Sequence, residues 1–154
     1  MQTAGSAKCI PRWTFDGPGA NCANGGTWPF SLNPEGEAAG YYWDGSNVAH
    51  VLLRAPNGTI TTFDAPGAGT GSGQGTVISS NNPAGAITGY YWDANYLAHS
   101  YEHTPDGKTA EIDVPGAGTG AYQGTYSNGN NPAGMVTGNW QDANGVNHGF
   151  LWIP

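Results

Sequence analysis

The chain has 154 residues, the length of one domain with a buried core, and its net charge is −7, from eleven Asp and Glu against four Lys and Arg. It has no basic stripe and no run of about eighteen apolar residues, which excludes a nucleic-acid-binding protein and a helix inserted in a membrane. Gly (26) and Pro (11) are abundant, yet 6 Trp, 8 Tyr and 4 Phe exclude a disordered chain, because disordered chains lack bulky groups to bury. The composition therefore predicts an all-β protein of short strands and tight turns.

The N-terminal segment carries two features. Residues 2–7 behind a single Met are typical of a mature secreted terminus to which a start codon has been added, which predicts an extracellular protein. Cys9 and Cys22 follow; we expect one disulfide in an oxidising compartment, although two free thiols fit the same count. Residues 10–16, between the cysteines, are predicted to form a strand because they match residues 59–64 and 109–113.

The rest of the chain repeats every 49 residues without insertion. Each copy has an Asn-Pro-x-Gly turn, then Gly-x-aromatic-x-Asp, and then a His; the marker residues are Asn33, Gly40, Asp44 and His50, then Asn82, Gly89, Asp93 and His99, then Asn131, Gly138, Asp142 and His148. A fixed period of this length is the signature of a repeat architecture. It predicts a single repeat domain over residues 1–154, with a strand at 9–16 and units at about 17–65, 66–114 and 115–154.

The middle unit shows the expected strand pattern in full. Short β-rich runs at residues 76–79, 86–92, 97–103 and 109–114 are separated by turns rich in Pro, Gly, Asn and Asp. A longer Gly-rich connection follows at residues 115–124, and residues 66–75 repeat it. Three tight turns and one crossover per unit are typical of a four-stranded β-propeller blade.

The chain ends are out of phase with the units. Pro154 corresponds to Pro56 and Pro105, so the third unit lacks its fourth strand, whereas the N-terminus supplies an extra one. Because three blades are too few for a ring, we expect the N-terminal strand to complete the last blade of a second chain, which gives a six-bladed homodimer. The alternative is a monomeric β-trefoil, which also has three units of four strands and needs no partner.

The repeat resembles a known family. The pattern Asn-Pro-Ala-Gly-x-(Ile/Val)-Thr-Gly-x-(Tyr/Trp)-x-Asp-Ala-Asn-x-x-x-His, together with Phe63-Asp64-Ala65-Pro66-Gly67-Ala68, is similar to the bacterial extracellular repeats of the HAF type. The resemblance covers residues 15–151 and implies a secreted, propeller-like repeat protein, but it implies no activity. The chain departs from the pattern at residues 51–53 and 100–102, where Gly/Ala-Phe-Leu would be expected.

The aromatic residues after each Gly divide into two faces, because side chains alternate along a strand. The second position is always aromatic, as Tyr42, Tyr91 and Trp140, which predicts packing between units. The opposite face varies between units and is the predicted ligand site: Tyr41 and Trp43, Tyr90 and Trp92, Asn139 and Gln141. Aromatic rings beside amides suit carbohydrate, since rings meet sugar C–H groups and amides orient hydroxyls. They also suit a protein interface.

The recurring acidic and histidine residues are predicted to be structural. Asp44 with His50, Asp93 with His99 and Asp142 with His148 share one spacing, which favours a hydrogen-bonded tie within each unit. The alternative is a ring of imidazoles that holds a metal ion; we expect neither a metal nor a cofactor. His103 has no counterpart and is predicted to lie on the surface.

No sequence motif of catalysis occurs. The pairs Glu35 with Glu37 and Glu102 with Glu111 leave glycoside hydrolysis open, although surface positions explain them more simply. The sequence thus predicts a secreted, non-enzymatic, lectin-like module whose partner is a glycan or extracellular polymer, and which associates with itself. The alternatives are a structural, self-assembling extracellular protein and, less expected, an enzyme.

Overall fold

The computed structural model describes residues 14–21, 23 and 25–154, and this part of the chain is all-β, as the sequence predicts. None of these residues belongs to a helix long and apolar enough to cross a membrane. The 11 strands are β1 (Thr27–Leu32), β2 (Ala38–Trp43), β3 (Ala49–Arg54), β4 (Ile60–Phe63), β5 (Gly75–Asn81), β6 (Ile87–Trp92), β7 (Ala98–His103), β8 (Thr109–Glu111), β9 (Gly124–Asn130), β10 (Val136–Gln141) and β11 (Asn147–Trp152).

The strands form one open, mixed sheet built from three similar meanders. Strands β1 to β4, β5 to β8 and β9 to β11 each pair antiparallel with their neighbours in sequence. A short parallel bridge joins consecutive meanders, between Ala49 and Gly75 and between Ala98 and Gly124. The predicted crossovers are confirmed, since residues 64–74 and 112–123 lie in no strand.

Turn chemistry fixes where the strands end. In the middle meander the Asn82 side chain accepts a hydrogen bond from the Ala86 N–H at 3.0 Å, and Gly85 adopts φ +80°, which costs little without a Cβ. Gly89 serves a different purpose, because a Cβ there would lie 2.0 Å from the carbonyl oxygen of Val77. This close approach is to the paired strand β5 of the same sheet.

Two strand predictions need comment. The fourth strand of the middle meander ends at Glu111, three residues short of the prediction, because the Asp113 carboxylate turns to His99 and to the Ser100 N–H. The third meander stops after three strands, as predicted. Of the predicted N-terminal strand, residues 10–13 lie outside the described residues, as do Cys9 and Cys22, while residues 14–16 are described and belong to no strand.

The main apolar core lies between the first two meanders. Tyr101 is its largest fully buried side chain; its hydroxyl donates to the Val77 carbonyl at 3.0 Å, and its ring centroid lies 5.7 Å from that of Phe63. The other core residues are Ala39, Val51, Ala65, Ile78, Ile87 and Tyr91. The third meander contributes no residue to this cluster, and its last strand, β11, is largely exposed among the described residues.

Candidate ligand-binding site

The repeated aspartates hold the turns between the second and third strands. The Asp44 Oδ1 atom accepts hydrogen bonds from the N–H groups of Ser46 and Val48, both at 2.9 Å. The Val48 bond is the main reason that the pKa of Asp44 lies below its usual value. Asp93 and Asp142 bind their own turns in the same way. Each carboxylate therefore acts as part of the turn that it begins.

The repeated histidines lie across from an aromatic ring. His50 stacks near Tyr42 with ring centroids 5.2 Å apart, and the corresponding distances are 5.0 Å for Tyr91 with His99 and 4.4 Å for Trp140 with His148. The Nε2 atoms lie 3.6, 4.0 and 3.6 Å from the turn aspartates.

The other ring nitrogen distinguishes the three histidines. The Nδ1 atom of His50 lies 2.9 Å from Asp64, and that of His99 lies 2.6 Å from Asp113. His148 Nδ1 has no such carboxylate among the described residues. The structural role predicted for the histidines and turn aspartates stays a prediction, as does the absence of a metal.

One group of described side chains has the composition of a metal site. Ligand atoms of His99, Glu111 and Asp113 all lie within 4.8 Å of one another. These atoms already bind protein groups, since Glu111 accepts the Tyr91 hydroxyl at 2.5 Å and Asp113 bonds His99. The first unit has Thr62 where Glu111 stands, so the cluster is a feature of one unit rather than of the repeat.

The variable face of the sheet carries two neighbouring depressions. The first, of about 270 Å³, is lined by Phe30, Tyr41, Val77, Ile78, Ser79, Tyr90 and Asn128. The second, of about 330 Å³, is lined by Tyr90, Tyr122, Tyr126, Asn128, Asn139, Gln141 and Asn147. Because Tyr90 and Asn128 belong to both, the two depressions form one groove, which we call the tyrosine groove. All of its lining side chains are uncharged.

The aromatic rings of the groove support one another. Phe30 stacks on Tyr41 at 5.4 Å with 23° between the ring planes, and Tyr90 meets Tyr126 edge-on at 4.9 Å. Trp43 and Trp92 lie edge-on beside Tyr41 and Tyr90, at 6.0 and 5.1 Å. Neither Trp lines the groove, so they hold the two tyrosines laterally.

The hydroxyls of Tyr41, Tyr90 and Tyr126 stay protonated at neutral pH. Burial, and secondarily the nearby Tyr41 and Tyr126, raise the pKa of Tyr90 to about 12. Burial likewise raises the pKa of Tyr41 and of Tyr126. Each hydroxyl can therefore donate as well as accept a hydrogen bond. Beside them, the Asn128 amide donates to the Asn139 Oδ1 atom at 3.0 Å.

Four of the six residues predicted to bind ligand thus line one groove: Tyr41, Tyr90, Asn139 and Gln141. The sequence analysis did not identify Phe30, Tyr126 or Asn128, which come from β1 and β9. A bulge between Pro29 and Ser31 breaks the alternation of β1, so its faces could not be assigned by counting. The available signal was the 49-residue spacing, which places Phe30 and Asn128 at equivalent positions.

A depression larger than either part of the tyrosine groove lies away from it. The predicted acidic pairs do not come together there. This depression measures about 420 Å³ and lies at an outer turn, lined by Glu102, Thr104, Asp106, Lys108, Thr109 and Ala110. Glu102 pairs with Ala110 and Tyr101 with Glu111, so Glu102 and Glu111 project from opposite faces of the sheet. These two carboxylates cannot flank one glycosidic bond.

Comparison with known proteins gives no family for this chain. No protein-family model matches it, and a search of curated proteins finds no match. The similarity to HAF-type repeats stays a prediction, and a functional proposal must come from the geometry of the tyrosine groove.

Proposed function

We propose that this protein is a secreted, non-enzymatic, lectin-like module that binds a neutral glycan in the tyrosine groove. The observation that carries the proposal is the convergence of Tyr41 and Tyr90 with the amides of Asn128 and Asn139 in one open, uncharged groove. Aromatic rings accept the apolar C–H faces of a sugar, while amides and hydroxyls bind its hydroxyl groups.

The charge distribution narrows the ligand class. No lysine or arginine lines the groove, and the chain carries a net charge of −7. A polyanionic polymer would meet repulsion from the protein without a compensating ion pair. The groove therefore favours neutral hexose or N-acetylhexosamine polymers over uronic-acid or sulfated ones.

We further propose that the three meanders are three blades of a β-propeller. In such a fold the first strand of each blade lies at the centre, and here β1, β5 and β9 supply Phe30, Val77 and Asn128 to the same groove. The open sheet supports this fold over a trefoil barrel closed within one chain. The groove would then lie near the ring axis, where a second chain could extend it.

Affinity for a short sugar should be low. A small ligand buries little area after its hydroxyls lose water, so a dissociation constant between about 1 mM and 1 μM is expected. A polymer that contacts several equivalent positions on a rigid scaffold gains from effective concentration. We therefore expect binding to strengthen with oligosaccharide length.

The test is a glycan array of neutral and acidic glycans, followed by titration calorimetry with any oligosaccharide that binds. Tyr41→Ala should remove the stacking ring and weaken binding about tenfold, since stacking of a planar base on one aromatic side chain contributes about 1–3 kcal/mol and about 1.4 kcal/mol is tenfold in affinity. Tyr96→Ala is the matched control, because Tyr96 is a half-buried tyrosine outside both depressions. An empty array, or equal loss in both variants, would refute the proposal.

A structural, self-assembling role is the second candidate, and a separate observation favours it. Large apolar side chains are exposed at the two ends of the described sheet, including Trp28 (51%) and Leu32 (71%) at one end and Leu151 (60%) at the other. Such surfaces mark protein contacts. Open-ended filaments without glycan binding would favour this role over the first.

A further inference from the structure

The two junctions between units are built in the same way. At the first, the Ala49 N–H donates to the Gln74 carbonyl at 2.9 Å; at the second, Ala98 donates to Gln123 at the same distance. The residue after the bridge is a threonine whose hydroxyl accepts a backbone N–H: Thr76 from Ala65, and Thr125 from Val114, both at 3.0 Å. The 49-residue repeat therefore forms the same backbone and threonine hydrogen bonds at each junction.

Two side-chain contacts complete each junction. The aspartate before each crossover bonds the histidine of the unit that the crossover leaves, as Asp64 does with His50 and Asp113 with His99. In addition, the turn Asn of one unit donates its amide to the turn Asn carbonyl of the next, from Asn33 to Asn82 at 3.5 Å and from Asn82 to Asn131 at 2.9 Å.

The third unit presents the donor half of a junction, and no partner unit lies against it among the described residues. The His148 side chain is 42% exposed, against 23% for His50 and 18% for His99. Val146 is 51% exposed, whereas its counterpart Val48 is 6% exposed. The Asn131 amide donates to no acceptor among the described residues, although its Oδ1 atom caps its own turn.

The first unit presents the acceptor half. Thr27, the counterpart of Thr76, accepts the Gly17 N–H at 2.9 Å. Asp16 stands immediately before Gly17, as Asp64 stands before Ala65, and its carboxylate accepts a 3.4 Å hydrogen bond from the Thr27 hydroxyl. Gly26 adopts φ +65°, in the left-handed region used by its counterparts Gly75 and Gly124. This half-junction is formed although no preceding unit contacts it.

We propose that the third unit of one copy docks on the first unit of a second copy, repeating the internal junction. His148 Nδ1 then binds Asp16 of that copy, and the Asn131 amide donates to the Asn33 carbonyl. The occupant is a second copy because the first unit carries the missing half of the junction, and β1 and β11, the first and last strands of the described residues, do not pair with each other. Two three-unit copies close a ring through two identical contacts.

The contact is more apolar than the internal junctions. Trp28 and Leu32 stand where the next unit has Val77 and Asn81, and Leu151 stands where the middle unit has Glu102. An interface between separate chains must offset the entropy of association, which a junction within one chain does not. Larger apolar side chains at these positions supply that additional burial.

The first test is the mass of the full chain in solution by light scattering and sedimentation equilibrium. The proposal requires about 32 kDa, twice the chain mass of 15.9 kDa. A monomer would overturn the docking, and a ladder of larger species would overturn the closed two-copy ring. Neither mass measurement requires a glycan. A monomer would therefore overturn the docking of two copies without bearing on glycan binding.

The second test asks whether Asp16 and His148 meet. His148→Gln and Asp16→Asn should each raise the dimer dissociation constant about tenfold, and the double variant should be little worse than either, because contacting pairs are not additive. Independent, multiplicative effects would overturn the pairing. Asn131→Asp keeps the turn acceptor and removes the amide donor, so it should weaken the dimer without unfolding the chain.

The matched control is His50→Gln, at the internal copy of the same contact. It should lower the free energy of unfolding and leave the dissociation constant unchanged, because His50 bonds Asp64 of its own chain. An increase in dissociation constant as large as that of His148→Gln would show that loss of any unit's histidine loosens the dimer, and would overturn the assignment.

Discussion

The middle and third units have nearly the same turns but very different surroundings. Strand β7 of the middle unit is buried along most of its length between its neighbours, while the equivalent strand β11 is largely exposed. Tyr101 in β7 is fully buried, and Phe150 occupies its position in β11 with partial exposure. The comparison shows that the sequence of a unit determines its hairpins, whereas the neighbouring units determine how much of it is buried.

The largest expected difference in stability between the middle and third units comes from replacing the central aromatic residue of the third strand by alanine. Tyr101→Ala removes a fully buried ring and leaves a cavity, so it should lower the free energy of unfolding by about 3–5 kcal/mol. Phe150→Ala should cost about 1–2 kcal/mol in the isolated chain, since that ring is already partly in water. Denaturant unfolding of both variants measures the difference; equal losses would show that the third unit is as well packed as the second.

The next effect comes from backbone approach rather than ring burial. Gly89→Ala places a Cβ 2.0 Å from the Val77 carbonyl oxygen and 2.9 Å from the Tyr101 hydroxyl, so strands must move apart. We expect a loss of about 3 kcal/mol. Gly149→Ala is the matched control in β11, where the nearest atom is 3.9 Å away, and its effect should be within about 0.5 kcal/mol. Thermal unfolding measures the stability of both variants. A larger loss of stability for Gly149→Ala than for Gly89→Ala would contradict the comparison.

The strands of the middle unit could be predicted because their turns are local. Pro, Gly and Asn fix backbone angles without help from the rest of the fold, so the turn at Asn82 is legible in the sequence. The bounds of β1 could not be predicted, since Pro29 lies within this strand and a bulge follows. The early end of β8 at Glu111 also escaped prediction, because the bond from Asp113 to His99 joins residues 14 apart.

The sequence predicts those groove residues that alternation along a single strand can assign to one face. Alternation along the second strands identified Tyr41 and Tyr90, which do line the tyrosine groove. Whether Trp43 or Trp92 would face the groove depends on packing between strands, and both instead support the tyrosines from the side. The contribution of Phe30 required knowledge of the bulge, which is a property of strand pairing.

The threonine of the junction offers a smaller and more selective test. Thr76→Val keeps the shape of a fully buried side chain but leaves the Ala65 N–H without its acceptor, so about 1–2 kcal/mol should be lost. Thr27→Val, at the more exposed first unit, should cost about 0.5 kcal/mol, since water can replace the acceptor for the Gly17 N–H. Unfolding curves of the two variants at equal protein concentration check the ratio, and a larger loss at Thr27 would indicate that this position is buried in the dimer.

The smallest expected effect is a difference in acid sensitivity between the turns of the middle and third units. The Val146 N–H, and after it the Asn144 N–H, hold the pKa of Asp142 below its usual value, against the opposing effect of burial. A depressed carboxylate pKa contributes stability that is present above the unfolded value and is lost as the pH falls through the folded value.

In the middle unit, the pKa values of Asp93 and Asp113 are shifted in opposite directions. Burial raises the pKa of Asp93, but hydrogen bonds from the Leu97 and Asn95 N–H groups outweigh it, so the net shift is downward. Burial of Asp113 raises its pKa, so its contribution is present at low pH and lost as the pH rises through its folded value. Acidification below about pH 4 should therefore loosen the Asp142 turn more than the Asp93 turn, where protonation of Asp113 relieves the cost of its burial. Amide chemical shifts of Val146 and Leu97 across this range measure the difference, with Asp142→Asn as the control that removes the titration; identical titrations of the two turns would show that the neighbouring unit does not alter their response to acid.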